Sequence, residues 1–154
     1  MLTNASILEE QAGVTMTIAK TLTLEDYPFL RDYALGTSQL SYANPGLKGL
    51  TLLSLISSLE MMCEAARKLV PRRRVAQVHN LRAQRWVGFE RGSLHVILRA
   101  ERISWPDSSY TAVRVQLRDD TPNSAFTWPI VEAIILLTAT SPAPPSIQPP
   151  PLSH

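Results

Sequence analysis

Two hydrophobic periods divide the chain. Apolar residues at Leu52, Leu55, Ile56, Leu59, Met62, Cys63, Ala66, Leu69 and Val70 follow the 3.6-residue repeat of an amphipathic helix, with Ser54, Ser58, Glu64 and Arg67 elsewhere on the wheel. Asn44-Pro45-Gly46 suits the start of that helix, because Asn accepts from the first free amides and Pro has no amide to lose. Gly49 weakens the first turns slightly, and Pro71 ends the helix by pushing its predecessor out of the helical region. The spacing predicts one long helix from Asn44 to Val70.

Beyond Pro71 the period falls to two. Ser93 to Glu101 places Leu94, Val96, Leu98 and Ala100 on one face, with His95, Arg99 and Glu101 on the other. Tyr110 to Arg118 sets Val113, Val115 and Leu117 against Arg114, Gln116 and Arg118. Both read as half-buried strands. Val75 to Trp86 is a less regular strand, and Trp128 to Thr138 reads as a last strand buried on both faces. Turn residues separate them at Glu90-Arg91-Gly92, Pro106-Asp107-Ser108 and Thr121-Pro122-Asn123-Ser124.

Ahead of the helix, Val14 to Leu24 is rich in β-branched residues and reads as a first strand, preceded by a lead-in over residues 1–12. Thr23 with Asp26, then Pro28, suits a short helical turn through Tyr27, Phe29, Leu30 and Arg31. The domain then runs over residues 13–139. Residues 140–154 hold six of the twelve prolines and read as an extended linker or, alternatively, a proline-rich partner motif. Strand, helix, then four strands is an α+β order without βαβ alternation. It is the layout of a single hot-dog fold, an antiparallel sheet wrapped round one central helix, with an unrelated α+β domain as the alternative.

Composition narrows the function classes. With 154 residues, 45% hydrophobic and 18% charged, the chain suits one globular domain. A formal net charge of +2 does not suggest nucleic-acid binding, and the one tight basic cluster is Arg72-Arg73-Arg74, either solvated or facing an acidic carrier protein. No apolar run reaches the ~18 residues of a membrane span, and the first residues lack the pattern of a signal peptide. The lone Cys63 leaves no internal disulfide, so a cytoplasmic setting is expected. No set of ligands at metal-binding spacing is present, and neither metal nor cofactor is expected.

Several residues carry candidate chemistry. His95, on the polar face of a strand, reads as an ordinary exposed histidine, whereas His79 beside Asn80 is either structural or a displaced base. Glu60 interrupts the helix's apolar run and either faces a pocket or is exposed. Asp119 and Asp120 read as a solvated turn.

Pro28, Leu30, Arg31-Asp32, Gly36, Pro45-Gly46, Leu59-Glu60-Met61 and Ala65-Ala66, with Arg74-Val75, Leu81-Arg82 and Trp86-Val87-Gly88-Phe89 later, form a combination. It resembles the N-terminal hot-dog half of dehydratase domains from polyketide synthases and polyunsaturated fatty acid synthases. In that family a catalytic His takes the α proton of a 3-hydroxyacyl thioester, and an acid from a second hot-dog half protonates the departing hydroxyl. Here Tyr33 stands where the resemblance expects the His, three residues before Gly36 rather than four. Imidazole titrates near ~6.5 and a phenol near ~10, so a tyrosine is a poor general base at neutral pH.

The resemblance thus implies a degenerate, non-catalytic dehydratase half acting as a structural, dimerisation or acyl-binding module. Gly36, Pro45 and Gly46 are its implied substrate-binding positions. Acyl carrier protein or an acyl thioester is the implied partner, with the chain a homodimer or part of a larger synthase. The alternative is an active dehydratase or thioesterase completed across a homodimer, recruiting His79 or Glu60.

Overall fold

The computed structural model describes residues 1–35, 49–89, 92–120 and 128–139. Gly36, Asn44, Pro45, Gly46, the turn from Thr121 and the proline-rich tail lie outside these residues.

Strands β1 (Ser6–Gln11), β2 (Thr15–Thr23), β3 (Ala34–Leu35) and β4 (Leu50–Thr51) precede helix α1 (Leu55–Leu69). Strands β5 (Arg74–Ala83), β6 (Ser93–Ile103), β7 (Thr111–Asp119) and β8 (Val131–Thr138) follow it. The main sheet has the order β1-β2-β6-β7-β8-β5, antiparallel throughout, and β3 with β4 forms a separate two-stranded ribbon. The layout is α+β, mostly antiparallel sheet with one helix against it, consistent with a hot-dog fold.

The period-two reading survives closely. Leu94, Val96, Leu98 and Ala100 of β6 and Val113, Val115 and Leu117 of β7 are buried against α1, as alternation requires. The last strand begins at Val131 rather than Trp128, which is exposed; it is buried on both faces from Ile135 onward. The Thr23–Asp26 pairing is present, with the Asp26 amide donating to Thr23 Oγ1 at 3.0 Å, and Pro28 opens a 3-10 turn over Pro28–Asp32.

Four further expectations change. Residues 1–12 contain β1, which pairs with β2 through a three-residue loop whose Gly13 takes a positive φ of 70°, a geometry that favours glycine. The helix starts at Leu55, so it is 15 residues long. Ser54 is its N-cap and accepts from the Ser57 amide at 3.1 Å. The backbone just before Ser54 is engaged elsewhere: Leu50 and Thr51 pair with Leu35 and Ala34, Leu52 bridges to Gly88, and the Leu53 amide donates to Val87 O at 3.0 Å.

The buried face of α1 is also rotated from the expected one. Ser57, Ser58, Met61, Met62, Ala65, Ala66 and Leu69 are buried, while Leu55 and Ile56 face solvent. Ser58 and Ile56 lie about 200° apart on the wheel, so burying one exposes the other. Ser58 is buried without loss because its hydroxyl donates to Ser54 O at 3.0 Å and Ser54 Oγ donates to Ser57 Oγ at 2.8 Å. Asp119, expected in a solvated turn, closes β7 instead; its side chain is 9% exposed and accepts from Arg85 Nη2 at 3.1 Å.

Candidate functional site

Tyr33 sits at the end of the 3-10 turn, where its amide donates to Leu30 O at 3.0 Å and its carbonyl accepts from the Leu52 amide at 2.9 Å. These two bonds fasten it beside the segment that feeds the N-terminus of α1. Around it the fold gathers apolar side chains that are not buried. Leu35 is paired to Leu50 in the β3–β4 ribbon. Leu50 in turn lies against Gly88, where a Cβ would stand 2.8 Å from its side chain. The Phe89 amide donates to Thr51 O at 2.9 Å, holding the 84–89 segment alongside.

The consequence is a shelf of exposed apolar groups at one end of the helix: Tyr33 (45% exposed), Leu35, Leu50, Leu55, Ile56 (71%) and Trp86 (74%). Scattered single apolar residues are ordinary on a protein surface, whereas these lie on segments held side by side by backbone bonds, which makes the shelf a candidate binding surface. The periodicity of the sequence hid this shelf, because Leu55 and Ile56 fit the apolar stripe of a helical wheel as well as the truly buried residues do. Trp86 carried no signal of its own exposure.

The other sequence candidates lie apart from Tyr33. His79 is on β5, an edge strand, with its ring 5.3 Å from that of Trp105 and Nε2 2.8 Å from Gln77 Oε1. Glu60 is on the exposed face of α1, 3.9 Å from the Met1 amino group. Among the described residues no hydrogen bond or ion pair joins Tyr33, His79 and Glu60. His95 Nδ1 is 2.9 Å from Thr21 Oγ1 on the neighbouring strand. Asp119 is held by Arg85, as above.

Cys63 is half-buried, and burial pushes its thiol pKa up, with Arg67 opposing and Glu60 adding to the rise; it is therefore held in the less nucleophilic thiol form. Among the described residues no cluster of three His, Cys, Asp or Glu side chains is placed to hold a metal ion, and no helix is long and apolar enough to cross a membrane.

A carboxylate does perform one clear structural task. Glu64 accepts from the Met1 amino group at 2.8 Å and from the Leu2 amide, and Tyr27 Oη donates to Met1 O at 2.9 Å. Burial favours the neutral acid, but these two bonds and the nearby charges of the amino group and Arg67 outweigh it and hold the Glu64 pKa below the ordinary range.

The sequence matches no protein-family model and no curated protein. Among solved structures, it is similar to a chain from a study of dehydratase substrate selection in the borrelidin and fluvirucin polyketide synthases, with 21% identity and a TM-score of 0.51. The match covers 96% of this chain and 46% of that one, so this chain spans about half the length of its structural neighbour. The likeness establishes a shared fold, that of a polyketide synthase dehydratase domain.

Proposed function

We propose that the chain is a dehydratase-like hot-dog domain of a polyketide or fatty acid synthase system that does not itself dehydrate, and that it serves as a structural, dimerisation or acyl-binding module. The observation that carries this reading is the setting of Tyr33. Removing the α proton of a 3-hydroxyacyl thioester needs a base near its working pH, and expelling the hydroxyl needs an acid. Tyr33 offers a phenol, and no histidine or carboxylate is bonded to it among the described residues. What surrounds it is apolar surface, suited to covering an acyl chain or the apolar face of a second unit.

The partners in this reading are an acyl carrier protein or acyl thioester, together with a second copy or a neighbouring synthase domain. Incubation of the purified protein with a 3-hydroxyacyl carrier-protein thioester is expected to yield no enoyl product by mass spectrometry. Robust turnover that disappears in Tyr33→Phe would overturn the reading.

A second reading, an active dehydratase or acyl thioesterase completed across a homodimer, draws on one observation. His79 lies on β5, an edge strand of the main sheet among the described residues, so a second copy docking there would meet it. A protein that is strictly monomeric in solution removes this reading.

A further inference from the structure

The opposite end of α1 carries a different surface. A cleft of about 680 Å³ is lined by Arg67, Lys68, Arg72 and Arg73, over an apolar floor that includes Leu2 and Pro71. A second cleft shares Arg73 and adds Arg102, Trp105 and Tyr110, with Ser104 and Ser108 at its rim. Five cations thus converge on one region of a chain whose formal net charge is only +2.

Glu64 is the one carboxylate lining either cleft among the described residues, and it is already engaged by the Met1 amino group and the Leu2 amide. Neither Arg72 nor Arg73 makes a salt bridge among the described residues. Arg72 also holds a positive φ of 66° just past the helix, so the turn that follows Pro71 fixes where the three arginines emerge.

We propose that these two clefts, joined at Arg73, form one docking surface for a partner protein that presents an acidic face. Small-molecule sites are enclosed and mostly apolar, whereas these clefts are open and edged by long cationic side chains. Arg, Trp and Tyr are the residues that anchor protein interfaces, and Arg73, Arg102, Trp105 and Tyr110 are grouped here. A fifteen-residue helix is about 22 Å long, so this surface is separate from the apolar shelf at the other end and does not depend on how Tyr33 is read.

The test is binding of fluorescent poly-L-glutamate to the full chain, followed by anisotropy at low and moderate salt. Affinity is expected to fall with salt and to drop by about tenfold in Arg72→Glu/Arg73→Glu. It should stay within about twofold in Arg99→Glu/Arg114→Glu, which makes the same change in net charge at two exposed positions of the main sheet. Thermal melts check that the variants fold, and the milder Arg72→Gln, at an exposed position, is expected to lose about threefold. Equal loss in Arg99→Glu/Arg114→Glu would reduce the effect to net charge and overturn the proposal. Unchanged binding by the folded double variant would do the same, as would displacement by inorganic phosphate or heparin at lower charge concentration than by poly-L-glutamate.

Discussion

Gly88 shows how a single residue shapes the apolar shelf. A Cβ at this position would lie 2.8–2.9 Å from three carbons of Leu50, inside contact distance. Gly88→Ala therefore pushes Leu50 outward and loosens the bridge from Leu52; overpacking of this kind costs about 1–2 kcal/mol. Urea denaturation should show that loss. Trp86 fluorescence should shift with it, because its neighbours at Val87 and Gly88 carry the contacts to Leu53 and Leu52. The resemblance in the sequence singled out Tyr33 as a candidate; its bond to Leu52 was not legible there, because it depends on where the chain turns back.

At the scale of elements, the residues that lead into β1 and the helix are tied together by one carboxylate. Leu2 is buried, and its amide and the Met1 amino group both donate to Glu64 on α1. Because the folded-state pKa of Glu64 is lowered, its contribution to stability is fully present above the unfolded-state value and is lost as pH falls through the folded one. Glu64→Gln is expected to lower the urea midpoint at pH 7, with the gap to wild type closing as the pH is taken down to about 3. A gap that persists in acid would place the stabilisation in packing rather than in charge. The main strands after the helix were legible because alternation over eight or more residues has few readings, as β6 and β7 illustrate. The helix start was not, since Asn44-Pro45 and Ser54 are both good N-caps by composition. Pairing of Leu50 and Thr51 with β3 chose Ser54.

For the whole molecule, the exposed shelf is where the proposed dimerisation can be tested. Ile56 is 71% exposed, so Ile56→Glu removes no buried contact, and its effect on the stability of an isolated chain should stay within about 0.5 kcal/mol. If the shelf is a dimerisation surface, the same change shifts the protein toward monomer in sedimentation experiments while leaving the thermal midpoint of the dilute chain in place. Dimer retained in Ile56→Glu would direct attention to the open edge of β5 instead. The two ends of α1 thus carry separable surfaces, one apolar and one cationic, each open to its own substitution.

By itself the sequence determined the α+β class, the two alternating strands and the stop at Pro71, because these follow from local periodicity and from the geometry of proline. Only the tertiary structure decided which helix face is buried, that Asp119 is paired with Arg85, and that Tyr33, Leu50, Ile56 and Trp86 share one end of the molecule. The physical reason is the same in each case. A helical wheel with apolar residues on more than one face, a carboxylate beside a turn, and an exposed tryptophan are resolved by which backbone groups find partners far along the chain, and that information is not carried by neighbouring residues.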